Sequence, residues 1–267
     1  MKTPTILLGP LLVALATTSV ALAQVPAAPP TPPPAPAPTA AETLSPDRFA
    51  QEISRFAELD AATPPPSCAY LFVGSSSIRF WKSLSEDMAP YPVINRGFGG
   101  AHVSDVDYFF EKVVTPYKAK AIFFYAGDND LWAGKTADRV LADFKTFMTL
   151  KAAKLGQTPV YFIAIKPSKQ RLSQLGLQDQ VNQAIRAMGA TRKDLRFVDV
   201  APPMLEAGVP KDIFVADGLH MTPEGYAIWT SVVRPVVELD ARENHTCKGE
   251  PPARKKPAMG WLFRKKT

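Results

Sequence analysis

The 267-residue chain has only two cysteines and three histidines. No cysteine-rich spacing and no His-x-x-Glu-His run occurs, which argues against a zinc hydrolase. No Gly-x-x-x-x-Gly-Lys run is present to cradle a phosphate. Beyond residue 22 no stretch supplies the roughly 18 apolar residues that a membrane span needs. Charge of one sign is also missing from most of the chain. The net charge of +6 is carried by residues 248–267, which hold seven basic residues and one acid. The remainder is neutral by count, so a nucleic-acid-binding face has no compositional support.

What is present begins with an export pattern. Lys2 precedes an apolar stretch from Ile6 to Leu22, broken at Gly9-Pro10, and Ala21-Leu22-Ala23 supplies a small-x-small cleavage site. Residues 1–23 therefore read as a bacterial signal peptide, implying a periplasmic or secreted protein. No cysteine follows the cleavage site, which argues against a lipid-anchored lipoprotein. Residues 24–46 are nearly all Pro, Ala and Thr, a composition that favours extended conformations and buries no core. They read as a disordered linker, either a spacer or a tolerated leader. Residues 47–247 suffice for one domain with a full core.

The basic tail, residues 248–267, contains Trp261-Leu262-Phe263 between basic clusters. A solvated disordered tail is the preferred reading, and weak contact with an anionic membrane surface is the second. Cys68 and Cys247 bracket the domain. In an oxidising compartment they are a disulfide candidate, with two unpaired thiols as the alternative.

Within the domain, short apolar runs alternate with amphipathic segments. Strands are expected at Tyr70–Val73, Val93–Asn95, Ala121–Tyr125, Val160–Ile165 and Arg196–Val200. Helices are expected near Ile78–Leu84, Val103–Val114, Ala137–Leu155, Leu175–Met188 and Pro223–Leu239. An earlier helix is expected after Ser45, with Ser45 as cap and Pro46 at its first position. Strands apolar throughout are buried on both faces, as in a parallel sheet covered by helices. The repeated strand–helix unit predicts a doubly wound α/β domain whose ligands bind at the carboxyl ends of its strands.

Those strand ends carry unusual residues. Gly74-Ser75-Ser76-Ser77 follows the first strand, Asn95-Arg96-Gly97-Phe98-Gly99-Gly100 the second, and Gly127-Asp128-Asn129-Asp130 the third. Asp217-Gly218-Leu219-His220 precedes the last helix. A serine cluster, an acid and a base thus occur in the order a serine hydrolase can use. The Gly-x-Ser-x-Gly elbow of alpha/beta-hydrolases is not matched, because Ile78 stands at its fifth position.

Taken together, the four blocks resemble the SGNH, or GDSL-type, hydrolase family, over about Tyr70 to Trp229. The resemblance implies a flavodoxin-like three-layer α/β/α sandwich with a five-stranded parallel sheet. It also implies cofactor-independent, metal-free ester hydrolysis through a serine nucleophile. By position the nucleophile is Ser76, with Ser75 replacing the family's usual Asp and leaving Ser75 and Ser77 as register alternatives. Asp217 and His220 complete the triad. The oxyanion hole is implied at the Ser76 and Gly100 amides and the Asn129 side chain. Asp128 and Asp130 read as loop braces rather than metal ligands.

Arg79, Arg96, Phe98, His102 and Trp132 flank the blocks and are candidate substrate contacts. Trp81 is another, with core-edge packing an equal reading for Trp81 and Arg79. A helix start is the other reading for His102. The expected partner is an ester: a short acyl ester or an acetyl group on a polysaccharide. A lysophospholipid or lipase-type ester is the second option. A non-catalytic envelope carbohydrate-binding module on the same fold is the reading from another class.

Overall fold

A computed structural model describes residues 45–243. The leader, the linker up to residue 44, Cys247 and the basic tail lie outside the described residues. Cys68 is disulfide-bonded.

Ser45 opens the described chain as expected. Its hydroxyl accepts from the Asp47 amide, and Pro46 starts a 3-10 turn that runs into α1, Ala50–Ala62. The sheet is then built from β1 (Tyr70–Gly74), β2 (Val93–Gly97), β3 (Ala121–Tyr125), β4 (Val160–Ile163) and β5 (Leu195–Val198). All neighbours pair in parallel, in the order β2-β1-β3-β4-β5. That is the flavodoxin-like strand order, and its reversal falls between β1 and β3.

Every residue of β1, β3 and β4 is buried, so side chains feed two separate cores. On one face Leu71, Val73, Ile122, Phe124 and Phe162 join a cluster with Phe110, Phe144 and Phe147. On the other, Tyr70, Phe72, Phe123, Tyr125 and Tyr161 join Trp81, Trp229, Val233 and Val237. Phe123 stacks between Phe72 and Tyr161, with ring centroids 4.6 and 4.7 Å apart, so one aromatic column crosses three strands.

The helices on these faces are α2 (Ser76–Arg79), α3 (Leu84–Asp87), α4 (Val103–Tyr108), α5 (Phe110–Val113), α6 (Asp128–Trp132), α7 (Ala137–Leu155), α8 (Leu175–Thr191) and α9 (Pro223–Glu243). Two expected helices are each broken. The segment after β1 splits into α2 and α3 around Trp81, whose indole NH donates to Asp87 at 2.6 Å. The segment after β2 splits at Phe109, between α4 and α5. A small hairpin, β6 (Leu205–Glu206) with β7 (Val209–Pro210), lies between β5 and the Asp217 loop.

β2 continues two residues beyond its expected end at Asn95, so Arg96 and Gly97 belong to the strand rather than to the loop after it. Among the described residues no helix is long and apolar enough to cross a membrane.

Candidate active site

The first strand delivers its serines through one glycine. Gly74 has φ +135°, and a Cβ there would lie 1.8 Å from the Tyr125 carbonyl oxygen. Only glycine permits that approach. The same carbonyl accepts from the Ser75 amide at 2.9 Å, which turns the chain sharply off β1 into α2. Ser76 is the first residue of α2, so its amide is one of the helix's unpaired donors.

The last block folds back over this turn. Asp217 Oδ1 accepts from the Leu219 and His220 amides at 2.8 and 2.9 Å. Its Oδ2 lies 2.5 Å from His220 Nδ1. His220 Nε2 then lies 2.9 Å from Ser76 Oγ, across 144 positions of sequence. Serine, imidazole and carboxylate therefore form one continuous chain of hydrogen bonds. Burial pushes the Asp217 carboxyl up, but its bonds from the His220 ring and the two amides outweigh this. The net position is below the ordinary aspartate range.

Ser76 is the cluster's serine at hydrogen-bond distance from the base. Ser75 caps α2 in an extended conformation, and the Ser77 carbonyl accepts from the Tyr226 hydroxyl at 2.9 Å. Gly100 has φ +75° and is exposed. Neither its amide nor that of Ser76 has a protein acceptor among the described residues. Asn129, the second residue of α6, spends one amide proton on the Ala101 carbonyl at 3.1 Å. An Asn amide has two protons, so one donor remains.

Asp130 is a loop brace, as expected. It is fully buried, accepts from the Val103 amide, and pairs with Lys135 at 2.7 Å. Asp128 is buried too, and Gln178 Nε2 lies 3.4 Å from its Oδ1. Among the described residues no cluster of acids, His and Cys is arranged to hold a metal.

Of the flanking candidates, Trp132 lies beside Asp217. It lines a cavity of about 430 Å³ with Gln170, Arg171, Ala216, Asp217 and Leu219. Its ring stacks under the Arg171 guanidinium at 4.3 Å. The other candidates have partners of their own, and Trp81 and His102 follow the second reading given for each. Arg96 is buried, pairs with Asp60 and donates to the Tyr117 hydroxyl at 2.5 Å. It secures α1 to the sheet edge. Phe98 is fully buried, edge-on to Phe49 and Phe109 in the core.

Arg79 pairs with Glu52 of α1 at 3.0 Å, and Glu52 accepts from the Gly99 amide at 3.3 Å. The pair braces the glycine loop. Trp81 is a core residue with 1% of its surface exposed. His102 caps α4, its amide donating to Asp105 at 2.8 Å. Burial, with help from Lys135 and Arg48, lowers its imidazole to about 4. It is neutral at ordinary pH and takes no part in the Ser76 hydrogen-bond chain.

One neighbour of His220 is absent from those candidates. Phe80, partly exposed, meets the His220 ring edge-on at 4.9 Å between centroids. Nothing in the sequence separates Phe80 from its core neighbour Trp81, because α2 ends within this stretch.

The model of the GDSL-like lipase/acylhydrolase family matches residues 71–228. The chain belongs to this family. No curated protein matches it. Among solved structures, one from Streptococcus pneumonia superposes with a TM-score of 0.63 at 18% identity, covering 71% of this chain and 93% of that one. A GDSL-like lipase from Bacteroides thetaiotaomicron gives 0.59 at 18% identity, covering 70% and 97%. A carbohydrate esterase family 3 protein from Talaromyces cellulolyticus gives 0.54 at 16% identity, covering 66% and 99%. At such identities these likenesses show the shared fold. The GDSL-like hydrolase built here is an α/β domain with its blocks gathered at the strand reversal.

Proposed function

We propose that this GDSL-like hydrolase is an exported serine esterase that removes short acyl groups, acetyl on a carbohydrate foremost, through an acyl-enzyme. The observation that carries the reading is the bond chain Ser76 Oγ to His220 Nε2 at 2.9 Å and His220 Nδ1 to Asp217 at 2.5 Å. In the first step His220 takes the Ser76 proton as Oγ attacks the ester carbonyl. Negative charge gathers on the carbonyl oxygen, where the Ser76 and Gly100 amides and the second Asn129 proton are the candidate donors. Collapse expels the alkoxide, which receives the proton from His220. Water then repeats the sequence on the acyl-enzyme and releases the acid. Asp217 holds the imidazole tautomer and stabilises the imidazolium without itself accepting the proton.

Export rests on the leader pattern of residues 1–23. The preference for a short acyl group rests on Phe80 standing against the base and on the stacked Trp132–Arg171 pair, a flat face with a polar edge suited to a sugar. The chain's structural likenesses include a carbohydrate esterase family 3 protein and an acetyl esterase, each at 16% identity. The second enzymatic reading is a lysophospholipase, consistent with the family's description as lipase/acylhydrolase.

A panel of aryl esters of increasing acyl length, run beside acetylated polysaccharides and lysophospholipids, tests the assignment. Acetate release from glycan with little turnover of long chains is expected. Preference for long acyl chains would replace it with the lysophospholipase reading. Glycan binding without turnover of any ester would replace both with a non-catalytic module.

A further inference from the structure

Lys166 sits just beyond β4, and no surface of it is exposed. Its Nζ donates to the Leu219 carbonyl at 2.8 Å, inside the segment between Asp217 and His220. The ammonium also faces the Phe214 ring at 5.5 Å. Among the described residues no carboxylate pairs with it at ion-pair distance. An ammonium buried without an ion pair is a costly device, and an apolar side chain of similar length would fill the space more cheaply.

The surrounding bonds show what the charge is holding. Three consecutive carbonyls of the acid–base loop are each taken by a donor. Gly218 O accepts from the Gln170 amide at 3.0 Å, Leu219 O from Lys166, and His220 O from the Val215 amide at 2.8 Å. Of these donors only Lys166 is a side chain. Its own backbone is anchored next door, where Asn182 of α8 accepts from the Ile165 amide at 2.8 Å and donates to the Ile165 carbonyl at 2.9 Å. The Leu219–His220 peptide is held at both ends, since its carbonyl accepts from Lys166 and its His220 amide donates to Asp217. Movement of that carbonyl would therefore move the carboxylate and the imidazole together.

We propose that Lys166 is a positioning residue for the serine–histidine relay, fixing the Leu219 carbonyl so that His220 Nε2 faces Ser76 Oγ. The proposal rests on the serine-esterase reading of the same site. The charged groups that face Lys166 are Asp128 of α6, Arg171 of the following 3-10 turn, and Asp217 of the loop. Burial lowers its ammonium to about 8, with Asp128 and Asp217 opposing the fall and Arg171 adding to it. It is therefore mostly charged at neutral pH.

The test is Lys166→Met, which keeps length and loses donor and charge, with Lys166→Arg as the cationic control. Steady-state kinetics, the melting temperature and the low-field proton resonance of the His220–Asp217 hydrogen bond are read together. In Lys166→Met, kcat is expected to fall about ten- to a hundredfold with KM within about twofold, as for a slightly misplaced catalytic group. The melting temperature should hold or rise, because a buried charge has been removed. The low-field resonance should shift or broaden. Lys166→Arg should recover part of kcat.

Wild-type kcat with an unmoved resonance in Lys166→Met would overturn the proposal. So would a loss of kcat matched by a drop in melting temperature, the mark of a purely structural lysine. If Lys166→Met does not accumulate, Lys166→Gln carries the same comparison. A protein that hydrolyses no ester, but whose resonance moves on Lys166→Met, would sink the esterase reading and leave the positioning role standing.

Discussion

The Asn129 side chain donates to the Ala101 carbonyl at 3.1 Å, joining the loop after β3 to the loop after β2. One amide group therefore holds the residue after Gly100 and keeps a second proton, the candidate oxyanion donor. Asp130 adds a parallel tie to the Val103 amide. Asn129→Ala should lower kcat by about a hundredfold or more, the usual effect of losing one oxyanion donor. KM should change far less, since the charge exists only in the transition state. A normal kcat with a raised KM would move Asn129 into ground-state binding.

Ser76→Ala should abolish ester hydrolysis while the melting temperature stays within a few degrees, because only a hydroxyl at the head of α2 is removed. Ser75→Ala and Ser77→Ala should remain active, since neither has the 2.9 Å bond to His220. A covalent serine probe followed by peptide mapping checks the assignment, and label on Ser75 or Ser77 would refute it.

The pH profile should have one acid limb, set by the imidazole. Asp217 is held below the ordinary carboxylate range by its bonds from the His220 ring and the His220 and Leu219 amides, so it stays ionised where an ordinary carboxylate would take up a proton. Activity should rise with pH, since a general base acts only in its unprotonated form. The stability sign follows from the same shift. A carboxylate whose folded-state pKa is depressed stabilises the fold above its unfolded pKa and loses that contribution as pH falls through the folded value. Asp217→Asn should remove this acid-side slope from melting curves and lower kcat severely. A second acid limb in kcat that vanishes in Asp217→Asn would contradict the assignment.

Gly74→Ala should fail as a fold rather than as a catalyst. The added methyl would meet the Tyr125 carbonyl at 1.8 Å, and β1 and β3 are neighbouring strands with no room to part. A destabilisation of about 4 kcal/mol or more is expected, in the range reserved for severe backbone strain. Denaturant melts of the variant measure it, and a loss below about 1 kcal/mol would show that the turn relaxes.

Much of this was legible in the sequence because its signals are local. Ala121–Tyr125 and Ala137–Leu155 have the bounds their patterns predict, one apolar on both faces and the other amphipathic. The site blocks were legible because glycine and asparagine at strand ends are conspicuous. Arg96 and Phe98 misled for the same reason, being unusual residues within a conspicuous block. Their partners Asp60, Tyr117 and Phe49 lie more than twenty positions away in sequence. Lys166 was invisible because its partner is a backbone carbonyl 53 positions ahead, and carbonyls carry no residue signature.

The 144 positions between Ser76 and His220 span most of the described chain, from the end of the first strand to the threshold of the last helix. β1 is flanked by β2 and β3 in the finished sheet, and the Tyr70 hydroxyl reaches the Val237 carbonyl in α9. Parallel pairings of this kind close large loops and form slowly. Ser76 is therefore synthesised well before His220. A nascent chain that has emerged only as far as β5 holds the serine turn without the imidazole. Turnover needs both, so it reports that the two ends of the domain have come together rather than the integrity of one end.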